Sequence, residues 1–293
     1  MKYENTKSLI EYLKNGASPF HVVDETVEIL EKNNFEKLDI KSKWNIKENK
    51  KYYVIKNDSA VIAFTTGNKQ DLDSGFKIVG AHTDSPSLKI KPQPEFKDED
   101  YYLKLNTEVY GGPILNTWFD RPLTLAGRVS VLENGNLKNI NINFKDPLMI
   151  IPNLAIHLNR DVNKGKEIDK QKDLIPMMKT LNEDEDIEGY LLDLIGKKLN
   201  MSGDKILDFD LYLRDTEDPI IMGSEQEFLS AGQIDDLGMA HAGLKALLNS
   251  KDSNFKLLVL FDNEEIGSNT EVGADSPLLS NLLERIVYAL EGT

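Results

Sequence analysis

Apolar and polar positions along this chain follow three different rhythms. Over residues 1–50 the apolar positions are spaced for helices: Leu9, Ile10 and Leu13 share one face of MKYENTKSLIEYLKNG, and Val22, Val23, Val27, Ile29 and Leu30 form a second stripe. Residues 52–65, YYVIKNDSAVIAFT, read as two strands around a turn at Asn57-Asp58-Ser59. Residues 76–81 read as a further strand, expected at the centre of its sheet.

From about residue 96 to residue 225 strand signals dominate, in YYLKLNTEVYGG, LTLAGRVSVLENG, NLKNININ and KILDFDLYLRD. Asn134-Gly135 separates two alternating runs and signals a hairpin. Residues 160–190 are charged and lysine-rich, and read as a solvated excursion. Helical spacing then returns, with Leu237, Ala240, Leu244, Leu247 and Leu248 on the inner side of a helix over 235–248. FKLLVLF, residues 255–261, is a near-continuous apolar run of the kind buried on both faces of a sheet. Ser276-Pro277 opens a last helix, whose inner stripe is Leu279, Leu282, Leu283, Ile286, Val287 and Leu290. The expected architecture is an α/β domain built from residues 1–95 and 226–293, a mixed sheet flanked by helices, interrupted by a mostly β insertion at 96–225.

Composition narrows the function. With 293 residues, 40% of them apolar and 29% charged, the chain can bury a large core and reads as a soluble globular protein. It carries no apolar run of the roughly 20 residues that a membrane span needs. The N-terminus lacks a signal-peptide core, and there is no cysteine. A cytoplasmic location follows as the default, and any metal must rest on histidine and carboxylates. The formal net charge of −14 argues against nucleic acid as a partner.

Candidate chemistry collects where apolar elements stop. The strand at 76–81 ends in His82 and Asp84, and the strand at 255–261 ends in Asp262-Asn263-Glu264-Glu265. A third cluster, Ser230-Ala231-Gly232-Gln233-Ile234-Asp235-Asp236, opens a helix. Open α/β sheets bind ligands at the carboxyl ends of their strands. Residues two apart on an extended segment point the same way, so Asp84 can stand behind His82 and bond its second ring nitrogen. Of two adjacent glutamates, one can ligate a metal while the other serves as general base. Asp235 at a helix start can offer its two oxygens to two metals. Singly, each cluster has an ordinary reading: a turn histidine, a solvated acidic pair, a helix cap. Their coincidence at the ends of apolar elements favours a metal site.

GAHTDSPSLKIKP, IPNLAIHLNRDVN (151–163), GQIDDL (232–237) and FDNEEIGSNT (261–270), in this order, closely resemble the aspartyl aminopeptidase family of dinuclear zinc metallopeptidases. The similarity runs over nearly the whole chain. It implies a zinc-exopeptidase-like fold with an inserted dimerisation domain and two zinc ions per complete site, cobalt or manganese being possible on such ligands. It implies that His82 ligates one zinc with Asp84 orienting its ring, that Asp235 bridges both metals, that Glu265 ligates the second, and that Glu264 is the general base. His157 matches a histidine that the insertion lends to a neighbouring subunit's site, within dimers of a tetrahedral twelve-subunit assembly. His21 and His241 match no ligand position and read as structural. The substrates implied are peptides with an N-terminal Asp or Glu.

Members of the family continue beyond the equivalent of Thr293, with an aspartate and a histidine that complete the two metal sites. The expectation is therefore a piece of a longer hydrolase, and this stretch by itself could be inactive. Two alternatives stand beside it: a shortened, non-catalytic oligomeric relative, and a zinc aminopeptidase with a broader first-residue preference.

Overall fold

The computed structural model describes residues 3–165, 167–250 and 254–291, which fall into two units. One comprises residues 1–85 with 218–293, the other residues 86–217. The sequence reading places the junctions near 95 and 225. Met1 and Lys2, in the first helix expected from the sequence, and Gly292 and Thr293 lie outside the described residues.

The first unit begins with two helices, α1 (Glu4–Asn15) and α2 (Pro19–Lys32), the latter opening with proline where the missing N–H costs nothing. Strands β1 (Glu36–Lys37), β2 (Lys51–Lys56), β3 (Ala60–Thr65) and β4 (Lys77–His82) follow. The β2–β3 turn lies at the expected Asn57-Asp58, both in the left-handed region (φ 53° and 60°) that these residue types tolerate and a tight hairpin needs.

The second unit is an antiparallel sheet made of β5 (Ser87–Asp98), β6 (Tyr102–Tyr110), β7 (Leu123–Glu133), β8 (Asn136–Asn143), β9 (Met177–Thr180) and, after helix α3 (Tyr190–Leu199), β10 (Ile206–Asp215). Its strand order is β8-β7-β10-β5-β6-β9. Asn134-Gly135 makes the β7–β8 turn with φ 53° and 80°, so that Glu133 faces Asn136. β10 crosses β7 so closely at Gly127 that a Cβ there would stand 1.9 Å from the Asp210 carbonyl oxygen. Leu88, Leu105, Leu125, Val129 and Leu211 form the centre of the core, with Leu191 and Ile195 of α3 packed against them.

Two parts of this unit differ from the sequence reading. The charged stretch at 160–190 is mostly exposed, yet Leu174 in it is fully buried and its carbonyl accepts a bond from Thr107 Oγ1 (2.7 Å). Isolated apolar residues among charges, Leu174 and then Met177, anchor it to the sheet. Helix α3 was masked by the surrounding strand signals. Its apolar positions are helical, and Asp193 in the first turn with Lys197 and Lys198 in the last suit the helix dipole.

The chain then re-enters the first unit through β11 (Ile220–Met222) and β12 (Phe228–Ser230), a small hairpin, and adds α4 (Ile234–Asn249), β13 (Lys256–Phe261) and α5 (Leu278–Glu291). The sheet order is β1-β2-β3-β13-β4, with β4 parallel and β3 antiparallel to β13. Alternate residues feed opposite faces. Tyr53, Val61, Ala63, Leu258 and Leu260 pack with α1, α2 and α4 through Leu13, Val22, Leu30, Leu237 and Leu244. Tyr52, Val54, Ile62, Phe64, Leu257 and Val259 pack on the other side with Trp44 and with Leu278, Leu282 and Ile286 of α5. Each fully buried leucine or isoleucine contributes about 1.5–3 kcal/mol. The α/β class with helices on both faces is as expected. The place of β4 is not: it stands at the sheet's edge, paired only with β13 among the described residues, with Ile78 43% and Val79 44% exposed. An apolar run marks a strand, but it does not say how many neighbours the strand has.

Polar groups in the α1–α2–α4 layer are satisfied in a short chain. His241 Nε2 shares a hydrogen bond with Ser8 Oγ (2.9 Å), its ring lies 5.5 Å from that of Tyr12, and the Tyr12 hydroxyl bonds Thr26 Oγ1 (2.8 Å). His241 is structural, as expected. Burial, and then the charge of Lys245, lower its pKa from 6.5 to about 4. The unfolded chain therefore protonates this ring before the folded chain does, and folding stability falls as pH drops from about 6.5 to about 4. The variant His241→Gln is expected to lose less stability than the wild type across that window, measured as denaturation midpoints at each pH; parallel curves would show that His241 does not govern it.

Candidate metal centre

β4 and β13 run parallel and end side by side, with His82 in register opposite Phe261. This brings the two sequence clusters that follow them to one end of the sheet. Thr83 fastens the junction: its backbone N–H donates to Phe261 O (2.8 Å), and its hydroxyl to Ser59 O (2.8 Å). Asp84 comes next and has no exposed surface. A carboxylate so buried must be paired, since removing an isolated charge from water costs several kcal/mol or more. Its Oδ1 lies 3.1 Å from His82 Nδ1, its Oδ2 accepts from Glu265 N (3.1 Å), and Oδ1 accepts a longer bond from Glu264 N (3.3 Å). One side chain thus holds the ring of His82 and the backbone of both glutamates.

With Nδ1 turned toward Asp84, the other nitrogen of His82 faces the remaining carboxylates. Asp235 Oδ1, Asp236 Oδ2 and Glu264 Oε2 each lie 3.6 Å from Nε2. Two groups of potential ligands overlap here, His82 with Glu264 and Glu265, and His82 with Asp235 and Asp236; within each, the donor atoms lie within 4.8 Å of one another. Burial opposes charge on the His82 ring, but the bond to Asp84 and the charges of Asp84, Asp236 and Glu264 outweigh it, and its pKa is raised from 6.5 to about 9.

The sequence reading selected His82, Asp84, Asp235, Glu264 and Glu265, and the structure places them all at this end of the sheet. It did not select Asp236. Asp235 and Asp236 have non-helical backbone angles at the start of α4, joined by a cis peptide, and both carboxylates reach His82 Nε2 while differing in exposure. Asp235 is 74% exposed; Asp236 is 16% exposed and its Oδ2 accepts from the His82 backbone N–H (3.1 Å). Burial raises the Asp236 pKa, with the His82 contact opposing that rise. The signal was the doubled aspartate itself, two carboxylates side by side at a helix start. α4 comes near enough because of Gly243, where a Cβ would stand 2.8 Å from Leu258 Cδ1 and 3.1 Å from Val79 Cγ1. His157 lies in an exposed turn of the second unit.

A mixed α/β sheet with one histidine and several carboxylates at its carboxyl edge suits a metal-dependent hydrolase. Comparison with known proteins makes this specific. The family model described as Aminopeptidase I zinc metalloprotease (M18) matches residues 12–293, and the chain belongs to this family of metalloprotease hydrolases. It is 49% identical over 296 residues to a probable M18 family aminopeptidase 2 of Clostridium novyi, covering 99% of this chain and 68% of that protein. A protein of the same description from Clostridium acetobutylicum is 49% identical over 292 residues, covering 99% and 67%. The chain thus spans about two thirds of the length of these curated relatives. Among solved structures, it is similar to a chain of the Ape4 and Nbr1 complex (TM-score 0.91, 34% identity, 97% of this chain and 59% of that one). It is also similar to Chaetomium thermophilum mApe1 (TM-score 0.90, 29% identity, 97% and 68%) and to the S. cerevesiae mApe1 dodecamer (TM-score 0.83, 26% identity, 99% and 67%).

The Asp84 carboxylate is the group that raises the affinity of His82 for its proton most directly. In Asp84→Asn the His82 pKa is expected to fall from about 9 toward 6.5, read by NMR titration of the imidazole. An unchanged midpoint would assign the rise to Asp236 and Glu264 instead.

Proposed function

We propose that this protein is a zinc aminopeptidase that removes N-terminal residues, acidic ones by preference, from peptides. The observation that carries the reading is the convergence of His82, Asp235, Glu264 and Glu265 at one end of the sheet, in a chain of the M18 family. An imidazole nitrogen with carboxylate oxygens fits zinc, and the same donors would accept cobalt or manganese. In this reading His82 Nε2, Asp235 and Glu265 would hold two zinc ions, His82 toward one, Glu265 toward the other and Asp235 toward both. Zinc bound there would lower the pKa of a coordinated water and polarise the scissile carbonyl.

The protein's own groups do the rest. Asp84 keeps the His82 proton on Nδ1, leaving the Nε2 lone pair turned toward the site. Asp236 fixes the end of β4 through the His82 amide, so the ring cannot drift along the sheet edge. Glu264, about half exposed, has the freedom to take a proton from the attacking water and return it to the leaving amine.

Assembly and location extend the same reading. The second unit serves dimerisation within a tetrahedral dodecamer, and His157 reaches a neighbouring subunit's site. Support comes from Leu154, Ile156 and Leu158 around it, which are 59%, 55% and 68% exposed, an apolar surface of the kind that protein interfaces cover. The cytoplasm is the location in this reading, on the cysteine-free composition.

The test is hydrolysis of short peptides by the protein loaded with zinc. Glu264→Gln is expected to lower turnover by about 10²- to 10⁴-fold while zinc content stays at the wild-type value. Wild-type turnover in that variant would remove Glu264 as the base. A panel of first residues is expected to give higher kcat/KM for Asp and Glu than for Leu and Ala; equal values would establish a broader aminopeptidase.

A further inference from the structure

β13 does not run directly into a helix. Asn263 breaks it with a left-handed conformation (φ 63°, ψ 27°), and the chain coils back on itself through Gly267 (φ 100°) and Ser268 (φ 62°). The Asn263 carbonyl accepts from Ser268 N (2.9 Å) and Ile266 N (3.4 Å), and the Glu264 carbonyl from Gly267 N (2.9 Å). This ring turns the amides of Glu264 and Glu265 toward Asp84 and carries their side chains to the ligand cluster at His82. The base of the ring is closed by Asp262 N donating to Val272 O (3.1 Å). Gly273 lies so close that a Cβ would stand 2.1 Å from Ser268 O. Outside it, Glu271 pairs with Lys56 Nζ (2.9 Å) and bonds Asn57 of the β2–β3 turn.

Asparagine tolerates the left-handed region, but tolerance does not fix it there. A side-chain bond across the ring supplies the constraint: Thr270 Oγ1 donates to Asn263 Oδ1 at 2.8 Å, and the same oxygen accepts a long bond from Val272 N (3.4 Å). Asn263 immediately precedes Glu264, so a small rotation there swings both glutamates. Ligands must be held within about 0.5 Å of their productive geometry, and partners that orient a ligand affect metal affinity although they never touch the metal.

We infer that Thr270 is a positioning residue for the metal centre: its hydroxyl, through the Asn263 carboxamide, sets the turn that aims Glu264 and Glu265. This rests on the zinc reading of the site proposed above. The test is zinc affinity of the protein itself, by competition with a chromophoric chelator. Thr270→Val keeps the shape and loses the donor; it is expected to bind zinc about 10-fold more weakly. Thr270→Ser restores the donor and is expected to return affinity to within about twofold of wild type. Asn263→Gly keeps the left-handed backbone without the carboxamide, and should bind zinc at least as weakly as Thr270→Val. The double variant should be no weaker than Asn263→Gly alone, because the bond lost with Thr270 is already gone in that variant. Wild-type affinity in Thr270→Val, failure of Thr270→Ser to rescue, or additive losses would overturn the role of Thr270. No zinc uptake by the wild type would instead overturn the reading of the site, and the role of Thr270 with it.

Discussion

The site depends on one buried carboxylate. Asp84 has no contact with solvent, and its oxygens are met by a ring nitrogen of His82 and by the amides of Glu264 and Glu265. These groups arrive from two strands far apart in the chain. Parallel pairing of β4 with β13 brings the backbone ends together, but hydrogen bonds between strands say nothing about where side chains beyond the strand ends will point. Asp84 settles that. Any movement of the Glu264–Glu265 turn away from β4 would strip donors from a buried charge, which is far costlier than losing a solvated contact.

The apolar core supports this network without reaching it. Two layers sandwich β2, β3 and β13, and the packing of Leu258 and Leu260 into one layer and of Leu257 and Val259 into the other fixes β13 firmly. β4 is held differently. Ile78 and Val79 are partly exposed, and the strand has one partner strand among the described residues. Its end is located by polar links instead: Thr83 to Ser59 and Phe261, and His82 to Asp236. Packing therefore sets the position of the sheet, while hydrogen bonding sets the position of the histidine.

The unequal legibility of the sequence follows from this division. Elements whose signal is local were readable: the apolar stripes of α4 and α5, the Asn57-Asp58 and Asn134-Gly135 turns, and the strand at β13. The residues gathered at the sheet end were readable too, because chemistry-bearing side chains placed just beyond apolar runs are conspicuous. What could not be read depends on partners distant in the chain. Nothing in KIVGAH says whether one strand or two will flank it. Leu174 looks like a stray apolar residue until the sheet of the second unit surrounds it. Asp235 and Asp236 are alike in the sequence; only the approach of α4 at Gly243 to β4 and β13 decides that Asp236 turns inward to the His82 amide. Asn263 and Thr270 likewise gain their meaning from the ring they close.

The outer part of the cluster has the opposite character from Asp84. Asp235, 74% exposed, and Glu264, 54% exposed, approach His82 together with Asp236, and like charges so gathered repel one another. The raised pKa of His82 shows how the protein balances them: the ring holds its proton to about pH 9 because negative charge surrounds it. The same balance can be struck by a cation on the carboxylates and on Nε2. In the proposed reading proton and metal are alternative answers to one electrostatic demand and would compete for the same nitrogen, so that metal uptake near neutral pH would release a proton. Asp84 serves both states. It stabilises the protonated ring, and it holds the neutral ring in the tautomer whose free lone pair faces the cluster. Acidic side chains that would be a liability in the core are tolerable at this edge because the inner network keeps them within reach of whichever positive charge is present.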